Sequence, residues 1–187
     1  ALPPVEFVVA LMAAATLLVG NLGAIPQTNL KRMMGYSSIA QAGFILPLFI
    51  GTVDGRLAPN APFYLAVYLV MTFGAFFALA MIRIQRGSEE ISAFRGLGKT
   101  NPRLALGMTL ALFSLAGIPP FAGFFSKFFV FAAAFEGGFH GLVFIALVNT
   151  VISLYYYLLI VKAMYITPND TPVAAFRTDR CTRVSLA

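Results

Sequence analysis

One lysine stands where a charge is expensive. Lys127 lies within the apolar stretch SLAGIPPFAGFFSKFF, residues 114–129. At membrane depth a lysine costs roughly 2.5–3.5 kcal/mol on insertion scales, so such a side chain usually faces a cavity or a polar path. Just upstream, Gly117, Pro119, Pro120 and Gly123 interrupt the run. Proline has no N–H and frees the carbonyl it would have bonded, and such backbone survives in a bilayer only beside protein or water. An amine can surrender its proton where burial penalises the charge, whereas a guanidinium keeps it. A broken helix beside a buried lysine is the pattern of an ion or proton pathway, with Lys127 as the proton carrier. The competing reading is a lysine that snorkels outward from the last turns of its helix. Phe124, Phe125, Phe128, Phe129 and Phe131 argue against it, since they are expected to surround the lysine with apolar bulk.

Other polar residues at depth are candidates for lining such a path. Ser114 and Ser126 flank the break, where capping of freed backbone groups is their first expected role. Asn149, Thr150 and Ser153 share one apolar segment and are expected to bond between helices, with Asn149 and Ser153 as candidate lining. Three consecutive tyrosines, Tyr155–Tyr157, cannot share a helical face, so only one or two can line a path, and Tyr156 is the candidate. Ser37 and Gln41 are i, i+4 neighbours whose default role is packing. His140 and Glu136 are expected in a solvated turn.

Composition sets the solvent these elements work in. The chain of 187 residues is 59% hydrophobic and 11% charged, with a mean hydropathy of +0.85. Soluble domains carry about 25% charged residues, so an all-α integral membrane protein is expected. The net charge of +6 sits at the ends of apolar runs, which points to membrane topology and away from nucleic acid. One cysteine, Cys181, one histidine and seven acids leave no metal or cofactor ligand cluster, so none is expected in this chain.

Apolar runs place membrane segments at about residues 5–25, 30–50, 63–84, 103–135 and 141–166. The fourth is too long for a simple span: at 1.5 Å per residue it would reach roughly 50 Å across a core of about 30 Å. A break within 116–123 resolves the excess, leaving a single crossing. Residues 167–187 form a polar tail, and apolar character resumes at Val184, so an internal piece of a longer polytopic protein is expected, its tail leading to a further helix.

Lys31, Arg32, Arg83, Arg86, Arg95, Lys99, Arg103, Lys162, Arg177, Arg180 and Arg183 fall on one side of this topology, and Arg56 alone on the other. The positive-inside rule then puts the N-terminus outside and the tail in the cytoplasm.

Two motifs, NLKRMMGYSSIA at residues 29–40 and SLAGIPPFAGFFSK at 114–127, resemble those of the antiporter-like membrane subunits of respiratory complex I, the NADH-quinone oxidoreductase. Gly35 and the LYYYL run at 154–158 favour the subunit N branch of that family over its L and M paralogues. The resemblance implies a fourteen-helix fold built from inverted five-helix repeats, each with one broken helix. The segments here look like the second repeat, helices nine to thirteen. It also implies a bacterial inner membrane, other membrane subunits as partners, and proton translocation driven by NADH oxidation and quinone reduction elsewhere. NAD, FMN, iron–sulfur clusters and quinone would all belong to other subunits. The family's distal proton-channel lysine falls on Lys127. Gln41 departs from the family, in which this position often carries histidine. Related alternatives are a cation/proton antiporter or membrane hydrogenase subunit; a different class is a structural anchor that transports nothing.

Overall fold

The computed structural model describes residues 4–49 and 60–168. Seven helices in chain order make up most of these. They are α1 (Pro4–Ala24), α2 (Leu30–Ile45), α3 (Ala61–Arg86), α4 (Leu97–Thr100), α5 (Pro102–Ala116), α6 (Ala122–Glu136) and α7 (His140–Tyr165). Their limits follow from local chemistry. Proline sits in the first turn of α3 and of α5, where a missing N–H costs nothing. Asn29 caps α2, its Oδ1 accepting the Arg32 N–H at 3.0 Å. Gly87 ends α3 in the left-handed region, with φ of 66°.

Helices α1, α3 and α7 are each long and apolar enough to cross a membrane, whereas α5 and α6 have 15 residues each. Fifteen residues rise only about 22 Å, so the long fourth segment is two half-helices, as its length demands. The second segment departs from the expected continuous helix. It stops at Ile45 and tightens into a 3-10 turn, Leu46–Phe49, around Pro47, which cannot donate to the α-helical ladder. The stretch between α3 and α5, which joins the third and fourth expected segments, holds a 3-10 turn at Ile91–Phe94 and the short α4. Leu30 N–H donates to Glu89 O at 2.8 Å and Ile91 N–H to Thr28 O at 2.9 Å, so this stretch folds under the α1–α2 corner. His140 does not sit in the turn but opens α7, its ring 4.4 Å from that of Phe135. Arg56, Cys181, Arg177, Arg180, Arg183 and the tail after residue 168 lie outside the described residues.

Side chains sort into layers along the bundle. Toward the basic end, Met33, Ile82, Phe94, Leu97, Met108, Ile160 and Met164 form one buried cluster. Toward the other end, Leu17, Phe44, Leu48, Val130, Ala134 and Leu142 form a second. The buried polar side chains are Asn21, Ser37, Gln41, Thr109, Ser114, Ser126, Lys127, Asn149 and Ser153. Outward faces are apolar too, with Leu69, Val70, Phe73, Phe144 and Val151 exposed. Apolar exteriors around a buried polar set mark a bundle solvated by lipid.

Candidate functional site

The site is built by the break. α5 closes on Gly117, which adopts φ of 82°. Gly117 N–H donates to Phe113 O at 3.1 Å and to Ser114 O at 3.0 Å, and Ile118 N–H donates to Phe113 O at 3.1 Å. In an unbroken helix the N–H groups of residues 119 and 120 would bond the carbonyls of Leu115 and Ala116. Both positions are proline, joined by a cis peptide, and have no N–H to give. Two carbonyls therefore emerge from the end of α5 without backbone donors.

Lys127 takes them. One turn and a half into α6, it is 3% exposed, and its Nζ donates to Leu115 O at 2.9 Å and to Ala116 O at 3.5 Å. The C-terminus of a helix carries about half a negative charge, and here that end faces the ammonium. The Phe44 ring lies 4.6 Å from Nζ and adds its π face. Both ion pairs among the described residues use Glu89 instead, so no described carboxylate pairs with Lys127.

The two half-helices approach as closely as chemistry permits. Ser114 Oγ accepts the Gly123 N–H at 3.0 Å and caps α6 from across the break. A Cβ on Gly123 would fall 1.8 Å from Ser114 O, so only glycine fits there. Ser126 Oγ donates to Gly123 O at 2.9 Å and completes the junction.

Polar groups from four other helices, α1, α2, α3 and α7, extend the site. Gln41 Nε2 donates to Leu115 O at 3.3 Å, sharing the carbonyl that holds Lys127, while Tyr64 O–H donates to Gln41 Oε1 at 2.6 Å. Ser37 and Tyr157 share a hydrogen bond one turn away along α2. Next to them the Tyr156 ring packs on Tyr157 at 4.6 Å, and Tyr156 O–H donates to Asn21 Oδ1 at 2.9 Å. Asn21 Nδ2 in turn donates to Asn149 Oδ1 at 3.0 Å.

Of the residues singled out by sequence, Ser114, Ser126 and Lys127 meet at the break, and Asn149 and Tyr156 join through Asn21. Ser153 is buried, but its Oγ donates to Thr150 O of its own helix at 2.7 Å rather than across helices. Tyr155 points outward. Only part of the expected phenylalanine cage turns inward: Phe131, half-buried, packs on Phe44 at 5.9 Å. Phe125, Phe128 and Phe129 are exposed on the far side of α6, and the aromatic neighbour is Phe44 of α2. Sequence neighbours at i±1 and i±2 lie on different helix faces. Asn21 and Tyr64 were missed. A lone asparagine deep in the apolar α1 was a usable signal; Tyr64, near the start of α3, gave none.

Toward the end of the bundle that holds Phe139 and Leu142, the packing is apolar. A space of only ≈ 10 Å³ there, lined by Phe44, Val130, Ala134 and Ala146 among others, has no polar wall. A water needs about that much room and two or more polar partners, so this apolar plug disfavours water.

A lipid-solvated bundle with a discontinuous helix and a buried lysine on its free carbonyls is the architecture of an all-α integral membrane protein. More narrowly, the chain belongs to the NADH:quinone oxidoreductase/Mrp antiporter transmembrane family, whose sequence profile matches residues 2–153. It is 52% identical over 180 residues to NADH-quinone oxidoreductase subunit N of Phocaeicola vulgatus, covering 96% of this chain and 38% of that protein. Among solved structures it resembles a chain of respiratory complex I from Thermus thermophilus, with 36% identity and a TM-score of 0.83 over 98% of this chain and 41% of that one. A chain of an archaeal membrane-bound sulfane sulfur reductase superposes with a TM-score of 0.87 at 27% identity, covering 97% of this chain and 37% of that one. The chain thus spans about 38% of the length of its curated relative.

Proposed function

We propose that this chain is the distal half-channel of a proton-translocating membrane subunit of NADH-quinone oxidoreductase, with Lys127 as its proton carrier. The observation that carries this reading is the seating of a buried ammonium on Leu115 O and Ala116 O with no described counter-ion. A carbonyl accepts a hydrogen bond from –NH3+ and equally from –NH2, so the site holds the side chain in both protonation states. A proton leaves Nζ when the pathway opens, and another returns by relay through the hydroxyls of Tyr64, Ser37 and Tyr157 beside Gln41, each hydroxyl accepting one proton as it passes one on. Gln41 is an amide, so it orients the shared carbonyl and does not itself titrate. The apolar plug around Val130 and Ala134 acts as the gate: protons pass once it wets.

In this reading α5 and α6 together cross the membrane once, the basic end faces the cytoplasm of a bacterium, and the chain's N-terminus lies outside. NADH oxidation and quinone reduction, with their NAD, FMN, iron–sulfur and quinone groups, take place in other subunits. The geometric match to the sulfane sulfur reductase chain supports a second reading, an ion-translocating subunit of another membrane complex. The higher identity to subunit N favours the first.

The test is Lys127→Ala in the full-length subunit within its assembled complex. Proton translocation is expected to fall at least tenfold while the complex still assembles, since the variant removes a buried charge rather than stranding one. Wild-type pumping by this variant would reduce Lys127 to an anchor.

A further inference from the structure

A groove on the outer face of the bundle runs from the basic end to the edge of the lysine site. It lies between α3 and α5 in two chambers of ≈ 530 and ≈ 570 Å³ that share Gly74, Gly107 and Leu110. Arg103 lines one end; the other reaches Ser114, Phe121 and Ala122 at the helix break. Between these ends the walls are apolar, with Phe73, Val70 and Leu106 strongly exposed.

Gly107 explains why the groove is open. It sits inside α5, where glycine weakens a helix relative to alanine. Yet a Cβ built there meets nothing within 4 Å, so no close packing in this chain requires it. Its absent side chain, with that of Gly74 opposite, gives the groove its depth. Arg103 is exposed, at the end of the bundle shared with Lys99 and Arg95, and neither ion pair among the described residues involves it. A groove that is cationic at one end and apolar along the rest has the polarity gradient of an anionic amphiphile. At 1.5 Å per residue, Arg103 to Ser114 is about 17 Å, close to one leaflet of a hydrocarbon core about 30 Å thick.

We propose that the α3–α5 groove binds an anionic phospholipid, its phosphate on Arg103 and one acyl chain lying along Gly74 and Gly107 as far as the break. The guanidinium fork fits phosphate oxygens bidentately. A lipid tail ending beside Ser114 and Phe121 would touch the junction that positions Lys127.

The full-length chain, reconstituted in phosphatidylcholine vesicles, is exposed to trace photoreactive lipids bearing a diazirine at the acyl terminus. One probe carries a phosphatidylglycerol headgroup, the other phosphatidylcholine. Labelled peptides are mapped by mass spectrometry. Label is expected around residues 70–74 and 107–114, about fivefold stronger from the anionic probe, as one basic side chain near the surface provides. Arg103→Gln should bring the anionic probe down to the level of the zwitterionic one. Gly107→Leu fills the groove without a backbone clash and should cut labelling by both. Equal labelling of the wild type by the two probes, or anionic preference that survives Arg103→Gln, overturns the proposal. So does a groove protected from both probes, which would assign it to a polypeptide. Labelling does not read proton movement and pumping by Lys127→Ala does not read lipid binding, so the two readings fail separately.

Discussion

Two basic clusters in this molecule solve opposite problems. At the basic end, Glu89 pairs with Arg83 at 3.0 Å and Lys31 at 3.7 Å, and both cations are more than half exposed. In the interior, Lys127 is 3% exposed and rests on two backbone carbonyls and a ring. A carboxylate partner stabilises a fixed charge, but it is left uncompensated when the cation loses its proton, and a buried unpaired charge is costly. A carbonyl partner has no such penalty. The outer cluster is therefore suited to a permanent charge that anchors and orients, and the inner one to a charge that comes and goes.

Substitutions can break this contrast, and the expected effects descend in size. Gly123→Ala should do most harm, because its Cβ would fall 1.8 Å from Ser114 O and drive the half-helices apart. Overpacking of this kind costs about 3 kcal/mol, seen as a lowered midpoint for unfolding in detergent, with loss of pumping. Gln41→Leu removes one donor to the carbonyl under Lys127 and strands the Tyr64 hydroxyl. An unsatisfied buried group costs about 1–3 kcal/mol, so stability should fall and pumping drop in part. Glu89→Gln should be nearly silent: exposed ion pairs are worth about 0–1 kcal/mol, and pumping should match wild type. Pumping lost with Glu89→Gln but kept with Gln41→Leu would invert the comparison.

The geometry around Lys127 was legible where it rests on backbone arithmetic. Pro119 and Pro120 locate the freed carbonyls at residues 115 and 116, and the excess length of the fourth segment requires the break they cause. Lys127 announces itself by charge in an apolar run. What depends on rotation about helix axes was not legible. Phe125, Phe128 and Phe129 flank Lys127 in sequence but face outward, since positions such as 123, 126, 127, 130 and 134 share its buried face. Gln41 read as packing because its partner, Leu115 O, is a backbone atom 74 residues away. The short elements between α3 and α5 are held by contacts to Thr28 and Ala163, distant in sequence, and carry too little periodicity to declare themselves.

The central claim is that Lys127 acts by gaining and losing a proton, and Lys127→Arg tests it most directly. Arginine keeps the positive charge and can donate to the same carbonyls, but it stays protonated. In membranes holding the full complex, NADH-driven electron transfer and proton translocation are measured together. The account predicts a complex that assembles, with protons moved per electron reduced at least as far as in Lys127→Ala. A Lys127→Arg variant that pumps like wild type would show that a fixed charge suffices, and would contradict it.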